Sequence, residues 1–309
     1  MITIFKNDEL KLSILNEPKP GCWINVIDPT PEEVMWLTKL AIPPDYITYP
    51  LDIDERARME HEDGEILIVL RIPSYLGDTA DIPFTTMPLG IVINEQYLVT
   101  ICKRENDVIN EFTSGKVKGV VTTKRNRFVL QLLHSTANQY LSHLREITKN
   151  VDLLEDQLQQ STRNKEVLEL LKYQKSLTYF TTALKSNELM MERLQRLQFF
   201  KAYPDDEDLL EDALTENQQA IEMTNIASNI LSSMMDAFAS IISNNLNVVM
   251  KLLASITIVL SFPTMIASFF GMNVHLPFED VPYALLFILG ISFVISLLVL
   301  FLFYKRDWL

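Results

Sequence analysis

Near the C-terminal end of the sequence, Asp236, Ser240, Ser243, Asn247, Met250, Ala254, Thr257, Ser261, Thr264, Ser268 and Gly271 follow one another at alternating steps of four and three. A 3.5-residue period holds one seam of a helix toward a partner over many turns. In water such a seam would be filled with leucine and isoleucine; here it carries hydroxyls, an amide and a carboxylate. The seam runs directly into Phe270-Gly271-Met272-Asn273, and Glu279 and Asp280 follow a few residues later. These groups offer oxygen atoms, with no nucleophile–base pair among them, so they do not suit the making or breaking of bonds.

Two readings of the seam stand side by side. Small residues at this spacing let membrane helices pack closely, with Ser and Thr hydrogen-bonding across. Alternatively, polar groups within a span face a cavity or pathway, which accounts better for Asn247 and Asp236 on the same line. Off the seam lie Val248, Val249, Leu252, Ile256, Val259, Leu260 and Phe262, which suit lipid or a second helix. Two helices enclose nothing, so a pore requires several copies of the chain.

Apolar residues decide where the seam sits. No charge occurs from Leu252 to Phe270 or from Val281 to Tyr304, and each run reaches about the 20 residues needed to cross a bilayer. Spans are expected at about 248–270 and 282–304, joined by a loop at 271–281, within a transmembrane domain at 247–309. Residues 1–124 mix short β-rich runs (1–5, 22–27, 65–72, 89–93 and 97–102) with short helical ones, as in an α/β domain. Thr30-Pro31-Glu32-Glu33 reads as a capping box that opens a helix through about Ala41. From Arg125, Phe128, Leu132, Tyr140, Leu144, Ile147, Val151, Leu154 and Leu158 step by three and four along a helix of about ten turns. After an interruption at 161–164, Val167, Leu170, Leu177, Phe180, Leu184, Met191 and Leu194 mark a second helix. A third opens at Asp205-Asp206-Glu207-Asp208, whose acids suit the positive end of a helix dipole and read as a solvated helix start. No glycine or proline follows until Pro263, so a helix from Asp205 to Phe270 would be a rod roughly 100 Å long. The long-helix region at 125–246 thus leads into the spans, and the fold class is an α+β membrane protein.

Among 309 residues, 27 Lys and Arg stand against 40 Asp and Glu, a net charge of −13. The charges in 247–309 cancel, so this excess lies wholly in residues 1–246. It argues against nucleic acid as a partner. Cys22 and Cys102 form no CxxC pair and read as core thiols. The opening residues lack the basic and apolar regions of a signal peptide, so none is expected.

Gly271-Met272-Asn273 between two C-terminal spans, after a long rod and an α/β half, resembles the CorA family of magnesium transporters. The ending Tyr304-Lys305-Arg306-Asp307-Trp308-Leu309 is also similar. The resemblance implies passive Mg2+ transport by a funnel-shaped homopentamer of the cytoplasmic membrane, with both termini cytoplasmic. It implies a selectivity filter at Gly271, Met272 and Asn273, and polar pore positions at Asn247 and Thr264 in line with Thr257, Ser261 and Ser268. It further implies a hydrophobic constriction at Met250 and Leu253, and metal-binding acids at Asp212 and Asp236, regulatory or at the pore entrance, with a partner in 51–55, where Asp52 and Asp54 are candidates. Glu279 and Asp280 would concentrate cations at the mouth. Phe270 replaces the family's usual tyrosine, and Leu276-Pro277-Phe278-Glu279 replaces its Met-Pro-Glu. Zinc, cobalt and nickel therefore stay open as cargo. The rival from another class is a non-conducting tail-anchored scaffold; no feature supports an enzyme.

Overall fold

The computed structural model of the chain describes residues 1–8, 11–62, 64–160, 164–197, 204–272, 283–306 and 308. They form two compact units, Met1–Met235 and Asp236–Leu309. The first unit holds a seven-stranded sheet: β1 (Ile2–Asp8), β2 (Lys11–Leu15), β3 (Trp23–Ile27), β4 (Arg58–Glu62), β5 (Glu65–Tyr75), β6 (Phe84–Ile93) and β7 (Leu98–Cys102). The spatial order is β2-β1-β3-β7-β6-β5-β4. Among the described strands, β3 and β7 pair in parallel and the other neighbours antiparallel.

Both faces of the sheet are covered, which is why β5 and β6 read as nearly unbroken apolar runs. Ile68, Leu70 and Ile72 of β5 point into a core built with Trp23, Phe112 and Phe128. Leu67 and Val69 point the other way, into a core with Ile24, Leu37 and Ile47. The second core is closed by α1 (Pro31–Lys39), α2 (Pro44–Thr48) and a 3-10 turn at Tyr49–Leu51. The capping box at the start of α1 is formed, with Thr30 accepting from the Glu33 amide and Glu33 from the Thr30 amide. The close fit of the turn requires Gly90 on β6: a Cβ there would lie 2.1 Å from Pro50 Cγ.

The first core is closed by α3 (Asp107–Thr113), α4 (Arg125–Gln160), α5 (Asn164–Arg196) and the first part of α6 (Pro204–Phe270). The expected division at residue 124 thus falls inside one unit, because the long helices share a core with the strands. Phe128, Leu132, Tyr140, Leu144, Ile147 and Val151 of α4 are all buried, as are Leu170, Leu177, Phe180, Leu184, Met191 and Leu194 of α5. At the head of α6, Asp206 is buried and pairs with Arg127 at 3.5 Å, so this acid is not part of a solvated helix start.

β4 pairs with β5 only as far as Arg58↔Val69. Two residues further along β5, the carboxamide of Asn187 on α5 takes the place of a strand: its Oδ1 accepts from the Arg71 amide at 2.9 Å, and its Nδ2 donates to the Arg71 carbonyl at 2.7 Å. Tyr140 of α4 donates to the same carbonyl at 3.0 Å. The Arg71 side chain reaches the other way. Its guanidinium donates to the carbonyls of Ile53, Glu55 and Thr86 and to Thr86 Oγ1. One residue thereby ties the Asp52–Glu55 segment, the sheet and two long helices together.

The second unit contains the rest of α6 and α7 (Ala284–Lys305). Both helices are long and apolar enough to cross a membrane. Their apolar side chains are outward: Leu260 is 63% exposed and Phe293 66%, unlike those of a core helix in a soluble protein.

Candidate functional site: the exposed seam of the first span

Pro263 sits inside α6 and has no N–H to give to the carbonyl four residues back, which is Val259. That carbonyl is supplied from α7, where Ser296 Oγ donates to it at 3.5 Å. In hydrocarbon a backbone oxygen without a donor costs several kcal/mol, roughly, so this contact fixes where the two helices meet. Around it, Ser255 is fully buried and Val259, Phe262 and Ile266 are half-buried on α6. On α7 the matching face is Ile288, Ser292, Ile295, Ser296, Val299 and Phe303, all buried or half-buried.

At about 100° per residue, Thr257, Ser261, Thr264 and Ser268 lie on the far side of α6 from Ser255, Val259 and Ile266. Every seam residue from Asp236 to Gly271 is exposed. Close packing of this seam against α7 is therefore not what the small residues serve. Val248, Val249, Leu252, Ile256 and Leu260 are exposed on the flanks, whereas Val259 and Phe262 face α7.

The hydroxyls on the seam have a defined polarity. Thr257 donates to Leu253 O at 2.8 Å, Ser261 to Thr257 O at 2.7 Å, and Thr264 to Leu260 O at 2.9 Å. Their protons are used inside the helix, so each turns oxygen lone pairs outward. A line of acceptors is what the hydrogens of cation-bound water require. Met250 and Leu253, 56% and 58% exposed, lie one to two turns before the first of these hydroxyls. Gly271 and Met272 follow the end of α6 and are exposed, with the Gly271 amide closing the last turn onto Ala267 O. Asn273, Glu279 and Asp280 lie outside the described residues.

The acids are dispersed. Asp52 and Asp54 are exposed, and Asp52 Oδ1 accepts from the Asp54 amide at 3.1 Å. Asp212 and Asp236 are exposed on α6. Among the described residues, no group of three or more His, Cys, Asp or Glu side chains is placed to hold a metal ion within one chain. Two further features had no signal in the sequence: the Arg71 tie, and a contact of 3.3 Å between His134 Nε2 of α4 and Glu216 Oε1 of α6. Burial and the nearby Asp212 raise the Glu216 carboxyl, while His134 opposes that shift.

Comparison with known proteins agrees with this architecture. The family model described as CorA-like Mg2+ transporter protein matches residues 19–306. A cobalt/magnesium transport protein CorA of Methanocaldococcus jannaschii is 27% identical over 299 residues, covering 93% of this chain and 91% of its own. A protein of the same name from Thermotoga maritima is 23% identical over 278 residues, covering 84% and 74%. The complete structure of the CorA magnesium transporter from M. jannaschii matches the fold with a TM-score of 0.87 at 24% identity, over 100% of this chain and 99% of that one. The chain belongs to the CorA-like Mg2+ transporter family.

Proposed function

We propose that the chain forms a homo-oligomeric pore, five copies by analogy with its family, that carries divalent cations and above all Mg2+ passively across the cytoplasmic membrane. The observation that carries this reading is the acceptor seam left exposed on the face of α6 opposite α7. Several first spans around one axis would bury it and enclose a path lined by Asn247, Thr257, Ser261, Thr264 and Ser268. Met250 and Leu253 form the apolar constriction, and Gly271, Met272 and Asn273 the outer filter. Mg2+ dehydrates reluctantly, so oxygen acceptors that bind its water shell suit it better than a tight cage.

In this reading residues 1–246 are cytoplasmic, comprising the α/β domain at 1–124 and the helical region at 125–246, and 247–309 form the transmembrane domain. Lys251, Lys305 and Arg306 flank the spans on one side, while 271–282 holds no Lys or Arg, a bias that supports a topology with both termini inside. No nucleotide-driven step is required: a doubly charged ion gains about 4.6 kcal/mol per 100 mV of inside-negative potential, roughly three decades of concentration. Control then rests on gating, with cytoplasmic Mg2+ bridging Asp212, Asp236 and the Asp52/Asp54 segment between subunits.

Flux into liposomes with Mg2+, Co2+, Ni2+ and Zn2+ in competition tests the proposal. Mg2+ entry that follows an imposed inside-negative potential is expected. Protein that inserts as an oligomer and carries none of the four ions would leave the scaffold reading in its place.

A further inference from the structure

The bond from Ser296 to the Val259 carbonyl sets the register of the two antiparallel spans. Counting along both helices from that pair brings Lys251 level with Tyr304–Arg306. Their directions also agree. Lys251 is one turn before the buried Ser255, whose hydroxyl donates to the Lys251 carbonyl at 2.8 Å. Arg306 follows Phe303 of the α7 contact face by three residues. Helical counting thus puts Lys251 and Arg306 at one level, each on the side of its helix that carries the contact between α6 and α7. Both are exposed, and among the described residues neither has a carboxylate partner. Asp307 lies outside the described residues. Beside them the Trp308 ring stacks on Phe303, with centroids 5.4 Å apart and planes 7° apart, and an indole at this position suits the headgroup layer.

We propose that Lys251 and Arg306 together bind the phosphate of an anionic phospholipid in the inner leaflet. Like charges on facing helices repel unless an anion lies between them. A phosphate diester gives Arg306 two oxygens in the fork geometry of a guanidinium, and the Lys251 ammonium closes the site as a point charge. The acyl chains would then lie along the apolar flanks of the spans. Lys305, about 100° round α7 from Arg306, points away and is the internal control. The inference rests on the membrane-spanning reading of α6 and α7.

The test is lipid retention by the full-length protein reconstituted in bilayer nanodiscs of phosphatidylcholine with one part in five phosphatidylglycerol by design, roughly an inner-leaflet anionic load. Bound lipid is counted by native mass spectrometry after mild extraction. Parent protein is expected to retain phosphatidylglycerol selectively. Lys251→Gln and Arg306→Gln should each lower that enrichment about fivefold, and the double variant little further, with Lys305→Gln close to the parent. Equal loss in all three variants would overturn the site in favour of diffuse surface attraction, as would unchanged enrichment in the double variant. Lipid-free protein that binds inorganic phosphate and then no longer selects the lipid would assign the pair to a soluble anion instead. Failure of the parent to insert would remove the membrane-spanning reading and this inference with it, whereas insertion without lipid selectivity removes the inference alone.

Discussion

Ser296 on α7 donates to the carbonyl of Val259 on α6, the one that Pro263 leaves without an intrahelical donor. Ser296→Ala should therefore lower the thermal stability of the detergent-solubilised protein by about 0.5–1.5 kcal/mol. Pro263→Ala restores an N–H to that carbonyl and should make Ser296 dispensable. A double-mutant cycle measures the coupling directly; strictly additive effects would show that the bond contributes nothing.

Ser255 and Thr257 are two residues apart and face opposite surroundings, one fully buried beside α7 and one exposed on the seam. Flux through Thr257→Cys should be blocked by a small impermeant thiol reagent, whereas Ser255→Cys should conduct unchanged after the same treatment. The native thiols do not interfere. Cys22 and Cys102 are buried, and burial pushes the Cys102 thiol up to about 12. Block of Ser255→Cys with Thr257→Cys spared would turn the pore face round by half a circle.

Asn273→Ala removes one acceptor oxygen per subunit at the proposed outer mouth and leaves a side chain too small to obstruct it. Uptake of Mg2+ should fall by at least about tenfold, while the oligomer and its melting temperature persist. Asn273→Asp keeps an acceptor and adds charge, so it separates loss of an oxygen from a change of field. Normal assembly with parental uptake in Asn273→Ala would exclude the filter role.

His143 on α4 is almost fully buried, its ring 5.3 Å from that of Phe84 and its Nδ1 3.6 Å from Glu146 Oε2. Burial holds the imidazole below its ordinary 6.5, with Glu146 and the more distant Asp107 opposing that shift. The neutral ring is the one the fold accepts. Between the ordinary value and the lower folded one, the unfolded chain binds more protons, so stability is present above about 6.5 and is lost as pH falls through the folded value. Thermal melts of the parent from pH 8 to pH 5 should show that loss, and His143→Gln should flatten it. An identical slope in both proteins would assign the acid sensitivity elsewhere.

The sequence pattern found the central strands, the capping box and both long amphipathic helices, because burial on one or both faces leaves a periodic trace. It missed β2 and β4, which form the two edges of the sheet. An edge strand such as Arg58–Glu62 carries polar groups at positions where a central strand would be apolar. The seam was legible for the same reason as the helices. Its direction was not, since Ser255, Ser292 and Ser296 have the same chemistry as Thr257 and Ser261, and only the unpaired carbonyl at Val259 says which serines meet the other helix. The Arg71 tie was hidden because its partners are mostly backbone carbonyls, and those have no letter in a sequence.

The seven strands described are complete by Cys102, and the described residues packed into the first core end at Leu214, ahead of the apolar run that begins near Val248. A ribosome adding roughly 5–20 residues per second needs about 2–7 s to travel from Leu214 to Val248. The body thus has time to bury its own apolar surface before the segments that aggregate most readily in water leave the exit tunnel. Delivery to the membrane then concerns a folded body with a late, sticky end, and a substitution that slows closure of the β3–β7 pair would expose both apolar surfaces at once. Such a variant should accumulate as aggregate in cells even where its folded form is as stable as the parent.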